Sequence, residues 1–342
     1  MKLNRFESLI AEFQSLPPVL VAGDIGIDKY TYGEVRRISP EAPVPVLEVT
    51  KEWLKLGLAA NISHNLKTLG VGSLLCGVIG DDSRASVFES LLEESDLRIW
   101  GVIRDKTRPT IYKERVTTGT QQICRIDYES QTPLNLETET KLTKLLQDFA
   151  KDHGALILED YAKGTLTKNL IQGLIQTFKA QGKIVCVDPG SSTPPHFYQG
   201  ATLLKPNLKE ARLMVQALGH SGDLPLAKLC EVLIKELSIE KLAITLGADG
   251  MAIVDTAKSA EHSGEMMIIP TVATEVYDVS GAGDTAISLL TSSLMSGATL
   301  AEAALIANCG SGVVVGKKGT ATVDLTELKE FFLKCEKGLK KS

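Results

Sequence analysis

Asp278-Val279-Ser280-Gly281-Ala282-Gly283-Asp284-Thr285 follows an extended segment, Ile268-Ile269-Pro270-Thr271-Val272, and precedes a run of small residues from Ala286 to Gly297 that reads as a helix. Gly281 and Gly283 leave the backbone uncrowded, so consecutive N–H groups can point outward. A helix N-terminus adds about half a positive charge at such a turn, which suits a phosphate. Asp284 then sets a carboxylate beside a site suited to negative charge. It is a poor partner for an anion and a good acceptor for the proton of a hydroxyl that attacks phosphorus. Its place in the first turn predicts a pKa below the usual carboxylate value. A strand–turn–helix corner with Asp284 as a simple N-terminal cap is the other reading of these eight residues.

Outward from this stretch the pattern is regular βα alternation. A helix over 137–152 leads to the strand Ala155–Leu158 and then to Glu159-Asp160-Tyr161. A helix over 165–181 leads to Ile184–Val187 and Asp188-Pro189. Ala201–Lys205 runs into Pro206-Asn207-Leu208-Lys209-Glu210 and a helix. A helix over 224–238 leads to Leu242–Leu246 and a glycine turn ending at Gly250. Near the start, Val19-Leu20-Val21-Ala22-Gly23-Asp24 has the profile of a buried parallel strand. Polar residues gather at one end of these strands, where open parallel sheets bind ligands. Asp24 and Asp28 lie just past the first strand, where either could bind a polyol hydroxyl or serve as a turn residue.

Two regions break the alternation. Ser39-Pro40-Glu41-Ala42-Pro43-Val44-Pro45-Val46 is extended and too rich in proline for a central strand. Residues 110–128 alternate with period two around Thr118-Gly119 and read as a hairpin. The expected architecture is α/β. It has a central, mainly parallel sheet with helices on both faces, and a small β lid over roughly residues 30–50 and 105–128 of one domain spanning 1–342. Between the lid segments, Gly57-Leu58-Ala59-Ala60-Asn61 places an amide in the first turn of a helix, within reach of a ligand.

The composition excludes several classes. With 342 residues, 44% hydrophobic, 23% charged and a net charge of −5, the chain reads as an ordinary soluble protein without a nucleic-acid surface. No apolar run reaches the ~18 residues of a membrane span, and Met1–Glu7 carries charge where a leader needs an apolar core. Six scattered cysteines with no C-x-x-C pair fit reduced thiols, so a cytoplasmic location is expected. Asn207-x-x-Glu210 puts an amide and a carboxylate one helical turn apart. Glu210 can hold Mg²⁺ through water, or simply cap its helix. Neither G-x-x-x-x-G-K-[ST] nor a G-x-G-x-x-G after the first strand occurs, which argues against a nicotinamide-dependent dehydrogenase.

Over nearly its whole length the sequence resembles the ribokinase family of sugar kinases. The family's D-T-x-G-A-G-D appears as Asp278 through Asp284, and its N-x-x-E as Asn207 and Glu210. Within it, the resemblance is to kinases that phosphorylate D-glycero-D-manno-heptose 7-phosphate at the anomeric hydroxyl, in ADP-heptose synthesis for lipopolysaccharide. It rests most on Ser39–Val46 and on Gln121-Gln122-Ile123-Cys124-Arg125-Ile126-Asp127, with Asp160-Tyr161-Ala162-Lys163-Gly164. The resemblance implies a ribokinase-like fold and ATP as phosphoryl donor. It implies Asp284 as base, and Gly281, Ala282 and Gly283 as backbone donors to the transferring group. It implies sugar contacts from Asp28, Gly57, Asn61 and Asp160, and phosphate contacts from Lys113, Gln121 and Arg125. Asn207, Glu210, Thr245, Gly247, Gly250 and Asn308 are implied to line the nucleotide. Glu210 would serve Mg²⁺. Asp278 and Ser280, with carbonyls of the Gly316–Thr320 loop, would serve a K⁺-like ion. A homodimer through the lid is also implied.

Two departures stand out. The subgroup's G-G-A-A-N is Gly57-Leu58-Ala59-Ala60-Asn61 here, and its D-P-K is Asp188-Pro189-Gly190. A leucine replaces a glycine near the sugar site, and a cation is lost. Bifunctional members carry a nucleotidyltransferase domain after the kinase; this sequence, ending at Ser342, is expected to supply the kinase step alone. A kinase for another sugar and a non-catalytic sugar-phosphate or nucleotide sensor are the competing functions.

Overall fold

The chain is described by a computed structural model that covers all residues except Thr120, Lys258, Ser259, Glu261, 272–276, Lys318, Thr320 and 340–342, with backbone alone for 337–339. The strands are β1 Val19–Gly23, β2 Ile25–Ile38, β3 Pro45–Leu58, β4 Ser73–Gly80, β5 Gly101–Asp105, β6 Ile111–Thr117, β7 Gln122–Tyr128, β8 Ala155–Glu159, β9 Ile184–Asp188, β10 Leu203–Leu204, β11 Lys241–Thr245, β12 Met251–Asp255 and β13 Met266–Ile269. The α-helices are α1 Leu3–Ala11, α2 Ala59–Thr68, α3 Ser83–Glu94, α4 Leu136–Phe149, α5 Lys168–Ala180, α6 Leu208–Ala217, α7 Leu226–Leu237, α8 Ala282–Met295, α9 Leu300–Val315 and α10 Leu325–Leu339.

The larger sheet has the order β13-β12-β11-β10-β9-β8-β1-β4-β5, parallel from β11 to β5 and antiparallel at β12 and β13. Its central strands are buried on both faces and alternate between two cores. Val19, Val21, Ala155 and Ile157 face one core, shared with α1, α2, α3, α8, α9 and α10. Leu20, Ala22, Leu156 and Leu158 face the other, shared with α4 to α7. Burying each such side chain contributes about 1.5–3 kcal/mol, which requires a helical layer on both sides. From β1 the chain runs one way through β4 and β5, then returns to the other side at β8. The β1–β8 junction is therefore the crevice where ligands bind in open sheets of this kind.

The smaller sheet has the order β3-β2-β6-β7. It is the expected lid, with different limits. β2 begins at Ile25, one residue after β1 ends, and β3 runs to Leu58, one residue before α2. Residues 101–105, by contrast, pair with β4 in the larger sheet. The expected limits of 30 and 50 left out the inner ends of both strands, where Ile25–Ile27 and Leu56–Leu58 are buried. The proline-rich residues 39–44 are the hairpin connection, closed by Ser39 N–H donating to Val44 O at 2.8 Å. The glycine turn after β11 is likewise a hairpin, to β12. All six cysteines are free, with Cys76, Cys186, Cys230 and Cys309 buried. Among the described residues no helix is long and apolar enough to cross a membrane.

Candidate active site

Gly281 caps α8 with φ at 83°, a left-handed geometry that a side chain resists. This turn aims the first N–H groups of α8 at the crevice and sets Asp284 in the first turn, 6% exposed. Two neighbours hold its carboxylate. Asn61 Nδ2, from α2, donates to Oδ2 at 2.6 Å, and the Tyr161 hydroxyl, just after β8, donates to Oδ1 at 3.3 Å. The pairing of α2 with α8 is itself fixed. Thr285 Oγ1 donates to Asn65 Oδ1 at 2.8 Å, and Asn65 Nδ2 donates to Asn61 O at 2.9 Å. Burial pushes the Asp284 carboxyl up to about 7, against the Asn61 hydrogen bond and with the charge of Asp188 adding to the rise. The sequence had pointed to a lowered value. A helix terminus contributes only about 0.3–1 kcal/mol, less than one pKa unit, so desolvation wins.

Beneath the glycine turn lies a buried ion pair, Lys205 to Asp188 at 2.7 Å. A Cβ on Gly283 would sit 3.6 Å from Lys205 Nζ, so this ammonium lies directly under the expected phosphate cradle. Burial works to lower the Lys205 pKa, but Asp188 outweighs it and keeps the group charged. Burial, then the charges of Asp188 and Asp284, hold Glu159 well above the usual carboxylate range.

Asn207 and Glu210 form a capping box at α6: Asn207 Oδ1 accepts from Glu210 N–H, and Glu210 Oε2 accepts from Asn207 N–H at 2.8 Å. Glu210 is half-buried, and burial with the charge of Asp188 raises its pKa. The described residues contain no cage of three or more His, Cys, Asp or Glu. A lone, charge-crowded carboxylate fits Mg²⁺, which keeps most of its waters and leans on substrate phosphates. Asp278 stitches two loops together. Its Oδ1 accepts from Ser280 N–H at 2.9 Å and its Oδ2 from Gly319 N–H at 3.0 Å. Lys318 and Thr320 of the second loop lie outside the described residues.

Thr245 forms a bridge to Asn207 at the end of β11. Gly247 and Gly250 adopt φ of 62° and 94°, and a Cβ on Gly250 would lie 2.2 Å from Ile269 O. The Asn308 amide donates to the carbonyls of Ile269 and Pro270 at 3.1 Å each, anchoring the end of β13.

On the smaller sheet, Asp28 receives Arg115 Nη1 at 2.7 Å. A Cβ on Gly57 would lie 3.0 Å from the Asp28 carboxylate, so only glycine leaves that group its place. Lys113 Nζ lies 5.5 Å from the centre of the Tyr161 ring. Gln121 is exposed at the β6–β7 turn, and Arg125 is exposed and held by Asp127 at 2.8 Å. The Asp160 carboxylate accepts from the Tyr198 hydroxyl and from Ala162 N–H, each at 2.6 Å. Gly190 is required beside it, since a Cβ there would lie 3.0 Å from Asp160 Oδ1. Asp24, one of two candidate hydroxyl ligands, is instead fully buried. It accepts the N–H groups of Tyr161, Lys163 and Thr165 at 3.0, 3.0 and 3.2 Å. It clamps the loop that carries Tyr161.

The model of the pfkB family of carbohydrate kinases matches residues 31–327. The chain belongs to this family. Bifunctional protein HldE of Wolinella succinogenes is 40% identical over 94% of this chain and 66% of its own length. The same-named protein of Helicobacter pylori strain HPAG1 is 38% identical over 91% of this chain and 65% of its own. The chain thus spans just under two thirds of these relatives. Among solved structures, Arabidopsis thaliana ribokinase complexed with ribose and ATP superposes with a TM-score of 0.70 at 18% identity, over 92% of this chain and 98% of that one. Phosphofructokinase-2 from Escherichia coli in complex with potassium gives 0.74 at 16% identity, over 94% and 99%. The fold is therefore ribokinase-like.

The geometry brings together three things: a buried carboxylate whose pKa rises to about 7, the glycine turn at the head of α8, and a buried ammonium beneath that turn. Sequence reading singled out the first two. It gave no role to Lys205, Arg115 or Tyr161. Lys205 carried one signal, a lysine closing an apolar strand, where a buried charge demands a partner.

Proposed function

We propose that the chain transfers the γ-phosphoryl group of ATP to the anomeric hydroxyl of D-glycero-D-manno-heptose 7-phosphate, yielding ADP and the 1,7-bisphosphate. The observation that carries this is Asp284, buried at the head of α8 and held by Asn61 and Tyr161. The acceptor hydroxyl gives its proton to an Asp284 carboxylate oxygen. Its oxygen bonds to the γ-phosphorus, and the bond from that phosphorus to the bridging oxygen of ADP breaks. A base near 7 is well matched to a neutral cell interior. The Gly283 N–H and the Lys205 ammonium would stabilise the charge of the transferring group, at roughly 3–4 kcal/mol for a well-aimed donor, whereas Ala282 N–H already donates to Val279 O at 3.3 Å. When bound, Mg²⁺ would neutralise phosphate charge, with Glu210 its protein partner, and Asp278 and Ser280 would serve a monovalent cation.

The heptose assignment draws on the Ser39–Val46 and Gln121–Asp127 stretches and on the relatives called HldE. A cytoplasmic homodimer joined through the smaller sheet belongs to the same reading. Its support is the exposed apolar set Ile38, Val44 and Val49 on the β2–β3 hairpin. The test is turnover with a panel of sugars and sugar phosphates, with the product position fixed by phosphorus NMR. The expected winner is the heptose 7-phosphate. Preference for another sugar overturns the substrate, and ligand binding without ADP release overturns catalysis.

A further inference from the structure

We infer that Cys309 and Cys335 form an oxidation site, a dithiol that hydroperoxides convert to a disulfide, and that closing it weakens nucleotide binding; the second part rests on reading the chain as an ATP-dependent kinase. The two cysteines face each other across the seam of α9 and α10. Lys317, just past α9, pairs with Glu327 in the first turn of α10 at 2.6 Å. Two turns back along α9 lies Cys309, and two turns on along α10 lies Cys335. Midway between, Val313 and Phe331 line a cavity of about 310 Å³ on the same seam, which leaves room for small solutes beside the pair. Cys309 is fully buried, whereas Cys335 is partly exposed.

Their contact divides the chemical roles. The Cys309 thiol donates a hydrogen bond to the Cys335 sulfur, which lowers the pKa of Cys335. The same bond, and then burial, holds the pKa of Cys309 up. The thiolate is the reactive form, so Cys335 is attacked first. Cys186 and Cys230 differ, since burial pushes them up to about 12 and about 11 and leaves them inert. The Cys335 thiolate attacks a peroxide oxygen. An S–O bond forms, the O–O bond breaks, and two electrons pass from sulfur to the peroxide, which leaves as water or an alcohol after taking a proton. The Cys309 sulfur then attacks Cys335, the S–O bond breaks, and the departing hydroxide takes the Cys309 proton away as water. A small dithiol returns the two electrons and both protons. In a reducing compartment such a disulfide is transient and suited to sensing.

Closure has a route to the crevice. A disulfide draws the two sulfurs from hydrogen-bond contact to about 2.05 Å. α10 is not free to absorb that movement: Phe332 stacks on Phe6 of α1 with ring centres 4.1 Å apart, and Lys329 pairs with Glu7 at 2.7 Å. The shift therefore falls on α9. There Asn308, the neighbour of Cys309, donates to the carbonyls of Ile269 and Pro270, and Ser311 Oγ donates to Ala282 O at 3.2 Å. One turn of α9 thus holds the thiol, the end of β13 and the glycine turn of α8.

The test treats the full chain, with exposed Cys124 changed to serine, with hydrogen peroxide and maps its peptides by mass spectrometry. A Cys309–Cys335 linked peptide should appear and vanish on adding dithiothreitol. Cys309→Ala should stop at a sulfenic acid on Cys335, trapped by dimedone, and Cys335→Ala should leave Cys309 unoxidised. By calorimetry, the oxidised protein should bind ATP at least ~fivefold more weakly, the lower end of common coupling energies, and recover on reduction. Peroxide should not change ATP affinity in Cys309→Ala. Absence of the linked peptide, or oxidation of Cys309 in Cys335→Ala, overturns the site. A linked protein with unchanged ATP affinity overturns the coupling. A reduced protein that binds no ATP overturns the kinase reading instead, and the peptide map still decides the oxidation site.

Discussion

Asp284 serves two opposing ends, and the conflict is measurable. Its carboxyl titrates at about 7 in the folded protein, against ~3.9 in an unfolded chain. Between those values the native state binds more protons, so this group's contribution to stability falls as pH rises and is lost above about 7. Activity runs the other way: kcat/KM should climb with pH up to about 7 and then level off. Asp284→Asn should lose at least ~100-fold in turnover while binding ATP normally. It should also melt a few degrees above the native apoprotein at pH 8, with the gap closing towards pH 5. Near-normal turnover, or no pH-dependent gain in melting temperature, would remove the ionised carboxylate from both roles. Leu58 offers a second test. It sits at φ 59° and ψ −140°, a region that favours glycine, yet its side chain is buried. Leu58→Gly and Leu58→Ala both empty the same space, but only glycine relieves the backbone. The glycine variant should therefore be the more stable by about 1 kcal/mol in urea unfolding, reversing the usual order of these two residues near helices.

At the scale of elements, the site is an agreement between α2, α8 and the loop after β8. The Asn65–Thr285 and Asn61–Asp284 hydrogen bonds lock the two helices, and Asp24 locks the loop with three backbone N–H groups. Hydrogen bonds to a charged acceptor are worth about 1.5–3 kcal/mol each. Asp24→Ala should cost at least ~2 kcal/mol in stability. It should lower kcat roughly tenfold by releasing Tyr161, with KM for ATP little changed. A variant destabilised but with normal kcat would show that the loop does not position the site. Sequence periodicity made many elements legible: β8, β9 and β11 fall within a residue or two of expectation. It did not show that Asp24 faces inward, because a carboxylate after a strand reads alike whether it meets a ligand or the backbone.

For the whole molecule, the chain passes between the larger and the smaller sheet at Asp24 and again between β5 and β6, and the outer strands β3 and β7 of the smaller sheet keep open edges. Such edges invite pairing with another chain. With Ile38, Val44 and Val49 at 61%, 51% and 52% exposure, sedimentation should give a dimer, and Val49→Lys should shift it towards monomer. A native protein that is monomeric at every concentration would sink the proposed lid-mediated dimer.

The sequence by itself determined the α/β class, the mainly parallel sheet and the glycine turn at the head of α8, because these rest on local periodicity and on residues adjacent in the chain. Tertiary structure alone decided the electrostatics. The value near 7 at Asp284 arises from burial and the charge of Asp188 against the Asn61 hydrogen bond, and the Lys205–Asp188 pair forms only when two strands lie side by side. Leu58 and Gly190 looked like lost functions in the sequence. In the fold one holds a strained backbone at the step from β3 to α2, and the other leaves the room Asp160 needs. Both distinctions depend on φ angles and on contacts across more than 25 residues of chain, which no local pattern encodes.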